Sequence, residues 1–169
     1  MLKIFNKLKP FIEDNYERIS VRQYARIQGI SPPTASKVLD GFYEEGLLRK
    51  EEDRQYIFYH ANRDSDIFID LSRIYWKEIL KKSGLIDHLK KSLDPVIILF
   101  GSLSKAEVKK DSDVDIAIFT ASDIKYDLEP YEKKLKRSIQ LFHFKRRDDV
   151  ENEELLNNIL NGYIIEGDW

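Results

Sequence analysis

The sequence predicts an α+β protein of two modules: a helical N-terminal module that ends in a hairpin, and a C-terminal α/β module with a small mixed sheet. The first observation is the helical spacing of apolar residues early in the chain, which gives way to strand-like alternation. The second is the exchange of apolar runs and amphipathic segments after Val96, which is typical of α/β domains. The third is a shift in charge, because residues 1–63 are slightly basic and the rest of the chain is acidic.

Three helices are predicted in the N-terminal module. Apolar residues recur every three or four positions up to about Asn15, which predicts the first helix. Ser20 is suited to cap a second helix that ends at Gly29, a typical residue just past a helix end. Ser31 followed by two prolines is a typical start for a third helix, which we expect to end near Gly46.

A hairpin is predicted to follow, with strands at 47–50 and 55–59 around the polar turn 51–54. This order of elements, with the stretch ISPPTASKVLDGFYEEGLL, resembles a winged helix-turn-helix domain over residues 1–63. The resemblance implies DNA binding by polar and basic side chains of the third helix and hairpin, namely Ser31, Thr34, Ser36, Lys37, Arg49, Lys50 and Arg54. Acidic residues are interleaved with them, so docking of a partner protein stays open as an alternative.

Residues 64–92 are predicted to form a helical linker, and residues 93–169 the second domain. The predicted elements of that domain alternate between strand and helix, in the order strand 96–100, turn and short helix within 101–109, strand 113–119, helix at about 129–137, strand 139–144 and helix at about 150–161. We expect Gly162 to close the last helix.

Two aspartates stand one position apart at the start of a predicted strand, ten residues after a Gly-Ser turn. Because residues i and i+2 of a strand point to the same face, Asp113 and Asp115 are expected side by side. Two carboxylates that close repel each other, and a cation between them offsets the repulsion. Carboxylate oxygens are ligands that suit Mg²⁺. Glycine allows backbone to approach a ligand closely, and Ser102 offers a hydroxyl donor to phosphate. The pattern predicts a site for Mg²⁺ and a nucleoside triphosphate.

The stretch FGSLSKAEVKKDSDVDIAIF is similar to the Gly-Ser…Asp-x-Asp signature of the minimal nucleotidyltransferases of the DNA polymerase β-like superfamily. The resemblance implies that Gly101 and Ser102 contact the triphosphate of ATP or a similar nucleotide. It also implies that Asp113 and Asp115 bind Mg²⁺ and are catalytic in the transfer of a nucleoside monophosphate. Small nucleotidyltransferases that resemble this one often act as antitoxins that modify a partner protein, so a macromolecular acceptor, a protein or toxin partner, is expected.

One departure from the family pattern favours an alternative function. The third carboxylate of the family lies on the later strand, where this sequence has Gln140, and a glutamine side chain is not a base. Catalysis regains support if another carboxylate, such as Glu129 or Asp148, folds close to the two aspartates. Otherwise the chain is a DNA-binding regulator whose nucleotidyltransferase-like domain binds nucleotide without turnover. The family's glycine near Ala106 is also missing, so the loop is expected to differ.

Composition excludes several classes of protein. The chain has no cysteine and a net charge of −2, which excludes a disulfide framework and a generally basic coat for nucleic acid. No apolar run approaches the roughly 20 residues of a membrane span, and the N-terminus is charged too early for a signal peptide. We therefore expect a cytoplasmic protein with no membrane partner, and a homodimer if two DNA half-sites are bound.

Overall fold

In the computed structural model, which describes residues 2–168, the chain folds into two compact units. One unit comprises Met1–Leu71 and Ala106–Lys110, and the other comprises Ser72–Lys105 and Asp111–Trp169. The division into 1–63, 64–92 and 93–169 stays a prediction about domains. No sequence pattern indicates that residues 106–110 fold with the N-terminal part of the chain.

The three predicted helices of the first unit are present. They are α1 (Lys3–Glu13), α2 (Val21–Gln28) and α3 (Pro32–Glu44). The Ser20 side chain accepts the backbone N–H of Gln23 at the start of α2, and the Ser31 side chain accepts the N–H of Thr34 at the start of α3. Both predicted caps are thereby confirmed. Gly29 ends α2 with φ +64, which is a left-handed conformation that favours glycine.

A three-stranded antiparallel sheet completes the first unit. Its strands are β1 (Ile19–Ser20), β2 (Leu48–Asp53) and β3 (Tyr56–Ala61), in the order β1-β3-β2. The two-residue strand β1 was not predicted, because it is too short to show alternation.

The predicted hairpin turn at 51–54 was wrong. β2 continues to Asp53, so only Arg54 and Gln55 form the turn, and Arg54 has φ +57. The acidic residues of β2 are tolerated there because Arg18 forms ion pairs with Glu51 at 3.0 Å and with Asp53 at 3.6 Å.

Large apolar and aromatic side chains from the helices and from β3 form the core of the first unit. The largest fully buried ones include Phe5, Leu8, Phe11, Ile12, Tyr24, Leu39 and Tyr59. The buried residues of α1 lie at helical spacing, as predicted. Burial on this scale is the main source of stability for a unit of this size.

The second unit contains a four-stranded mixed sheet. Its strands are β4 (Val96–Phe100), β5 (Val114–Phe119), β6 (Ile139–Phe144) and β7 (Tyr163–Glu166), in the order β6-β5-β4-β7. β4 pairs antiparallel with β5 and β7, and β5 pairs parallel with β6. A small mixed sheet was predicted, but β7, which follows Gly162 after the last helix, was not.

Five helices precede or connect the strands of this sheet within the described residues. They are α4 (Asp66–Ser83), which begins in the first unit, α5 (Leu85–Leu89), α6 (Ser102–Lys105), α7 (Glu129–Leu135) and α8 (Glu153–Leu160). One face of the sheet packs against Ile159, Leu155 and Leu156 of α8. Among the helices of residues 2–168, none is both long and apolar enough to cross a membrane.

The turn and short helix predicted within 101–109 are present. α6 has four residues and is followed by Ala106 at φ +55, a left-handed conformation that is incompatible with a continued α-helix. The last helix begins later than predicted, at Glu153, because Asn152 caps it by accepting the N–H of Leu155.

Candidate functional site

Three neighbouring strands bring the candidate residues of the second unit together. Asp115 lies opposite Phe100 on β4 and opposite Gln140 on β6, so the three residues form one row across the sheet. Asp113 directly precedes β5, and Val114 between the two acids is fully buried. Because side chains alternate along a strand, Asp113 and Asp115 share a face. It is the face that α8 covers further along the strands.

Gly101, directly after β4, lies against the Asp115 carboxylate. A Cβ atom built on Gly101 would lie 2.1 Å from Oδ2 of Asp115, far inside van der Waals contact. The glycine also has φ +67, a conformation that costs other residues free energy. Two independent constraints therefore favour glycine at this position, and the backbone of the turn is within reach of whatever the carboxylate binds.

The electrostatics of the two acids favour a cation. Asp115 is half-buried, and burial raises the pKa of its carboxyl above the usual value, with the charge of Asp113 as the second cause. Both causes destabilise the ionised form, and a cation between the carboxylates would relieve both. Two carboxylates without sulfur or imidazole form a donor set that fits a hard divalent cation such as Mg²⁺.

Gln140 contacts the acids directly. Its side-chain amide donates a hydrogen bond of 2.7 Å to Oδ2 of Asp113. The neutral amide thereby binds one carboxylate oxygen at the position where the family pattern has an acid. The side-chain nitrogen of Gln140 makes this contact, whereas an amide coordinates metals through its oxygen. Gln140 therefore restrains Asp113 and adds no negative charge to the site.

No other carboxylate replaces the missing acid. Within residues 2–168 there is no group of three or more His, Asp or Glu side chains that is arranged to hold a metal. Glu129 pairs instead with Lys133 on α7 at 2.6 Å. Asp148 lies in a short 3₁₀ turn after β6, whereas the two acids are at the start of the parallel strand β5, the opposite end of this strand pair. The hypothesis that Glu129 or Asp148 restores a three-carboxylate site was therefore wrong.

Ser102 begins α6 and is half-exposed. The turn before it is braced by Ser104, which is buried and whose hydroxyl donates 2.9 Å to the carbonyl of Gly101. The carbonyl of Ser104 in turn accepts a 2.8 Å hydrogen bond from Nε of Arg73. A helix of four residues contributes little dipole, so recognition of an anion here depends on the Ser102 hydroxyl and the backbone N–H groups of the turn.

Arg137 is a neighbour of the site that sequence reasoning missed. Its Nη1 atom donates 2.7 Å to the carbonyl of Ser112, the residue before Asp113. Its guanidinium carbon lies 5.2 Å from the ring centroid of Trp76. The contact fixes the backbone at the entry to β5. No pattern in the sequence indicates it, because it joins residues 25 positions apart.

The candidate DNA-binding residues belong to the first unit, and most already have partners there. Ser31 and Thr34 bond to each other at the start of α3. Arg49 donates to Asn62 at 3.0 Å and pairs with Asp64. Some of the hydrogen-bonding groups of these side chains are therefore already used by contacts within the first unit.

Asp40 on α3 organises a second group of these residues. It accepts hydrogen bonds from Tyr59 at 2.7 Å, from Lys50 at 3.0 Å and from Ser36 at 3.1 Å. The Tyr59 hydroxyl, followed by the Lys50 ammonium, lowers the pKa of Asp40. Lys37 and Arg54 are exposed, and neither forms an ion pair within the described part of the chain.

One comparison with known proteins matches a family over most of the second unit. Residues 85–166 match the family described as polymerase beta, nucleotidyltransferase. This part of the chain is a domain similar to those nucleotidyltransferases. The match includes Gly101, Ser102, Asp113 and Asp115, and it does not extend to α1–α3. Searches of curated proteins and of solved structures gave no significant match.

Proposed function

We propose that the second unit is a Mg²⁺-dependent nucleotidyltransferase that moves a nucleoside monophosphate from ATP or a similar triphosphate to a macromolecular acceptor. A hydroxyl of a partner protein, such as a toxin, is the acceptor we expect. The observation that carries the proposal is the contact between Gly101 and the Asp115 carboxylate, with Asp113 on the same face. It lies within the segment that resembles nucleotidyltransferases.

Each side chain of the site has a separate role in this proposal. Asp113 and Asp115 hold Mg²⁺, which when bound neutralises charge on the phosphates. Gly101 leaves room for a phosphate beside Asp115, and Ser102 donates its hydroxyl to a phosphate oxygen. The acceptor oxygen bonds to the α-phosphorus, the bond from that phosphorus to the bridging oxygen breaks, and pyrophosphate leaves.

Proton removal is the weak step of the proposed reaction. The acceptor hydroxyl must lose its proton, and Gln140 has no basic atom to take it. The proton passes to one of the two acids or to solvent. We therefore expect transfer to be slow, although positioning and charge neutralisation supply most of the rate in such reactions.

Transfer is tested with ATP labelled at the α-phosphate, Mg²⁺ and cell lysate. We compare the wild type with the double variant Asp113→Asn/Asp115→Asn and with Asp111→Asn, a matched control on an exposed residue of the same loop. We expect labelled product with the wild type and with Asp111→Asn, and none with the double variant. Product formation by the double variant would contradict the proposed site.

A second candidate function is that of a DNA-binding regulator whose nucleotidyltransferase-like domain binds nucleotide without turnover. The hydrogen bond from Gln140 to Asp113, at a site with no third carboxylate, favours it. Mg²⁺-dependent binding of ATP by the purified protein, with no transfer to any acceptor, would select this function.

DNA binding is proposed for the first unit, as a winged helix-turn-helix. The order α1-β1-α2-α3-β2-β3 supports it, with α3 as the recognition helix and β2–β3 as the wing. Because Arg49 and Lys50 are paired with acids, we expect the exposed Lys37 and Arg54 to contribute most to phosphate contacts. A homodimer would place two such units on two half-sites.

Fluorescence anisotropy with labelled genomic fragments at several salt concentrations tests this proposal. Neutralising Lys37 and Arg54 should weaken binding and reduce its salt dependence, whereas Lys9→Ala, on an exposed residue of α1, should change neither. Affinity that does not respond to salt would contradict binding through phosphate contacts, and complete absence of DNA binding would favour docking of a protein partner.

A further inference from the structure

The two halves of the candidate nucleotide site are joined by a segment that folds with the other unit. Ser102–Lys105 and Asp113 belong to the second unit, whereas Ala106–Lys110 between them belong to the first. The chain therefore leaves the second unit after the Gly-Ser turn and returns just before the acids. The conformation of residues 106–110 therefore sets the span of chain between the end of α6 and the residues before Asp113.

Asn15, which follows α1, anchors this segment by its backbone and by its side chain. Its backbone N–H donates 2.8 Å to the carbonyl of Val108, and its Oδ1 accepts the N–H of Val108 at 2.6 Å. Its Nδ2 donates 2.7 Å to the carbonyl of Phe11, which fixes the orientation of the amide. Asn15 is only 1 % exposed and Val108 is fully buried. Replacing a buried amide whose oxygen and nitrogen are both hydrogen-bonded costs free energy, because its partners are left without a hydrogen bond.

A cation–π contact and the burial of one end also restrain this segment. Nζ of Lys109 lies 5.5 Å from the ring centroid of Tyr16, the residue after Asn15. The guanidinium carbon of Arg63 lies 4.2 Å from the same centroid. Ala106, at the other end of the segment, is fully buried and has φ +55. Ala106 and Val108 are therefore buried, whereas Glu107, Lys109 and Lys110 between and after them are exposed.

We propose that Asn15 is a positioning residue for the nucleotide site. It touches no part of that site, and it acts by fixing residues 106–110, so that the Gly-Ser turn and the two acids are held at a set separation before nucleotide binds. The proposal rests on the nucleotide binding proposed above. Preorganised sites bind more tightly because the ordering of the loop precedes binding.

Loss of the anchor should weaken nucleotide binding without removing any group that contacts nucleotide. We expect Asn15→Ala to raise the Kd for Mg²⁺-ATP about tenfold, the scale of one buried hydrogen bond left unsatisfied. Asn15→Asp keeps an oxygen that can accept the N–H of Val108, so it should recover part of the lost affinity. The reciprocal effect is that Mg²⁺-ATP should slow hydrogen exchange at the Val108 amide in the wild type.

The experiment is calorimetric titration of the full-length wild type, Asn15→Ala, Asn15→Asp and Asn62→Ala with Mg²⁺-ATP, below the melting temperature of each. Asn62 is the matched control, because its side chain also donates to a backbone carbonyl of the first unit, that of Gly46 at 2.8 Å. Hydrogen exchange of the wild type with and without Mg²⁺-ATP is the second measurement, and it needs no variant to fold.

The positioning role predicts weaker binding for Asn15→Ala, partial recovery for Asn15→Asp, wild-type affinity for Asn62→Ala and slower exchange at Val108. Equal affinity in Asn15→Ala and wild type, or equal weakening in Asn62→Ala, overturns it and leaves the nucleotide site intact. Unchanged exchange at Val108 on addition of Mg²⁺-ATP also overturns it. Failure of the wild type to bind Mg²⁺-ATP at all overturns the proposed function, and the positioning role with it.

Discussion

Replacing Gly101 by alanine should damage the fold and the nucleotide site together. The new Cβ would lie 2.1 Å from Oδ2 of Asp115 and 3.0 Å from its carboxyl carbon, so the carboxylate oxygen must move by more than about 1.3 Å to reach ordinary contact. The backbone at φ +67 adds a cost of about 1–2 kcal/mol for any residue with a side chain. We expect Gly101→Ala to lose about 2–4 kcal/mol of stability.

Gly41 offers a matched control for this substitution. It lies inside α3, and a Cβ atom built on it meets nothing within 4 Å. Gly41→Ala should therefore stabilise the protein by about 0.5–1 kcal/mol. Differential scanning calorimetry measures both variants, and titration with Mg²⁺-ATP measures the effect on the site.

A double-mutant cycle separates the clash from the backbone cost. With Asp115→Ala in place, the carboxylate that meets the new methyl group is gone, so Gly101→Ala should cost only the backbone cost of about 1–2 kcal/mol. If Gly101→Ala is as stable as the wild type and binds Mg²⁺-ATP normally, Asp115 does not lie against Gly101 and the described geometry of the site is refuted.

Three further predictions concern the charged groups. Gln140→Asp places a third carboxylate beside Asp113, so Mg²⁺ affinity should rise at least about tenfold. The metal-free protein should be less stable, because the carboxylates repel each other. Titration calorimetry measures the affinity and scanning calorimetry the stability. Burial raises the pKa of Asp115, so its protonated form favours the fold below the ordinary Asp pKa, and this contribution is lost as pH rises through the raised pKa. Asp115→Asn should therefore raise the melting temperature of the metal-free protein at neutral pH, and the gain should vanish in acid. The pKa of Asp40 is lowered by Tyr59 and Lys50, so its contribution is present above the ordinary Asp pKa and is lost as pH falls through the lowered value. Melting curves of Asp40→Asn should consequently differ from those of the wild type at neutral pH and converge with them at low pH.

Much of the local structure could be predicted from the sequence, because it depends on neighbouring residues. The caps at Ser20 and Ser31 are hydrogen bonds to residues three positions later, and serine is a typical N-cap residue. The strand β6 has the predicted limits, Ile139–Phe144, because its apolar run is bounded by polar residues. The adjacency of Asp113 and Asp115 follows from strand alternation alone.

The features that escaped prediction depend on contacts between distant parts of the chain. β7 is a strand only because it pairs with β4, and four residues carry too little pattern to show this. Asn15 and Val108 are 93 positions apart, and nothing in either neighbourhood marks them as partners. Arg137 bonds to a backbone carbonyl, which any residue type offers. The sequence therefore indicates which residues meet the ligand better than it indicates which residues hold them in place.

Calorimetric titration with ATP in the presence and absence of Mg²⁺ tests most directly whether the two aspartates and the Gly-Ser turn form a nucleotide site. The wild type and Asp111→Asn should bind ATP only with Mg²⁺, and Asp113→Asn/Asp115→Asn should not bind it in either condition. Binding that is independent of the metal, or that survives in the double variant, would show that these acids are not the nucleotide site.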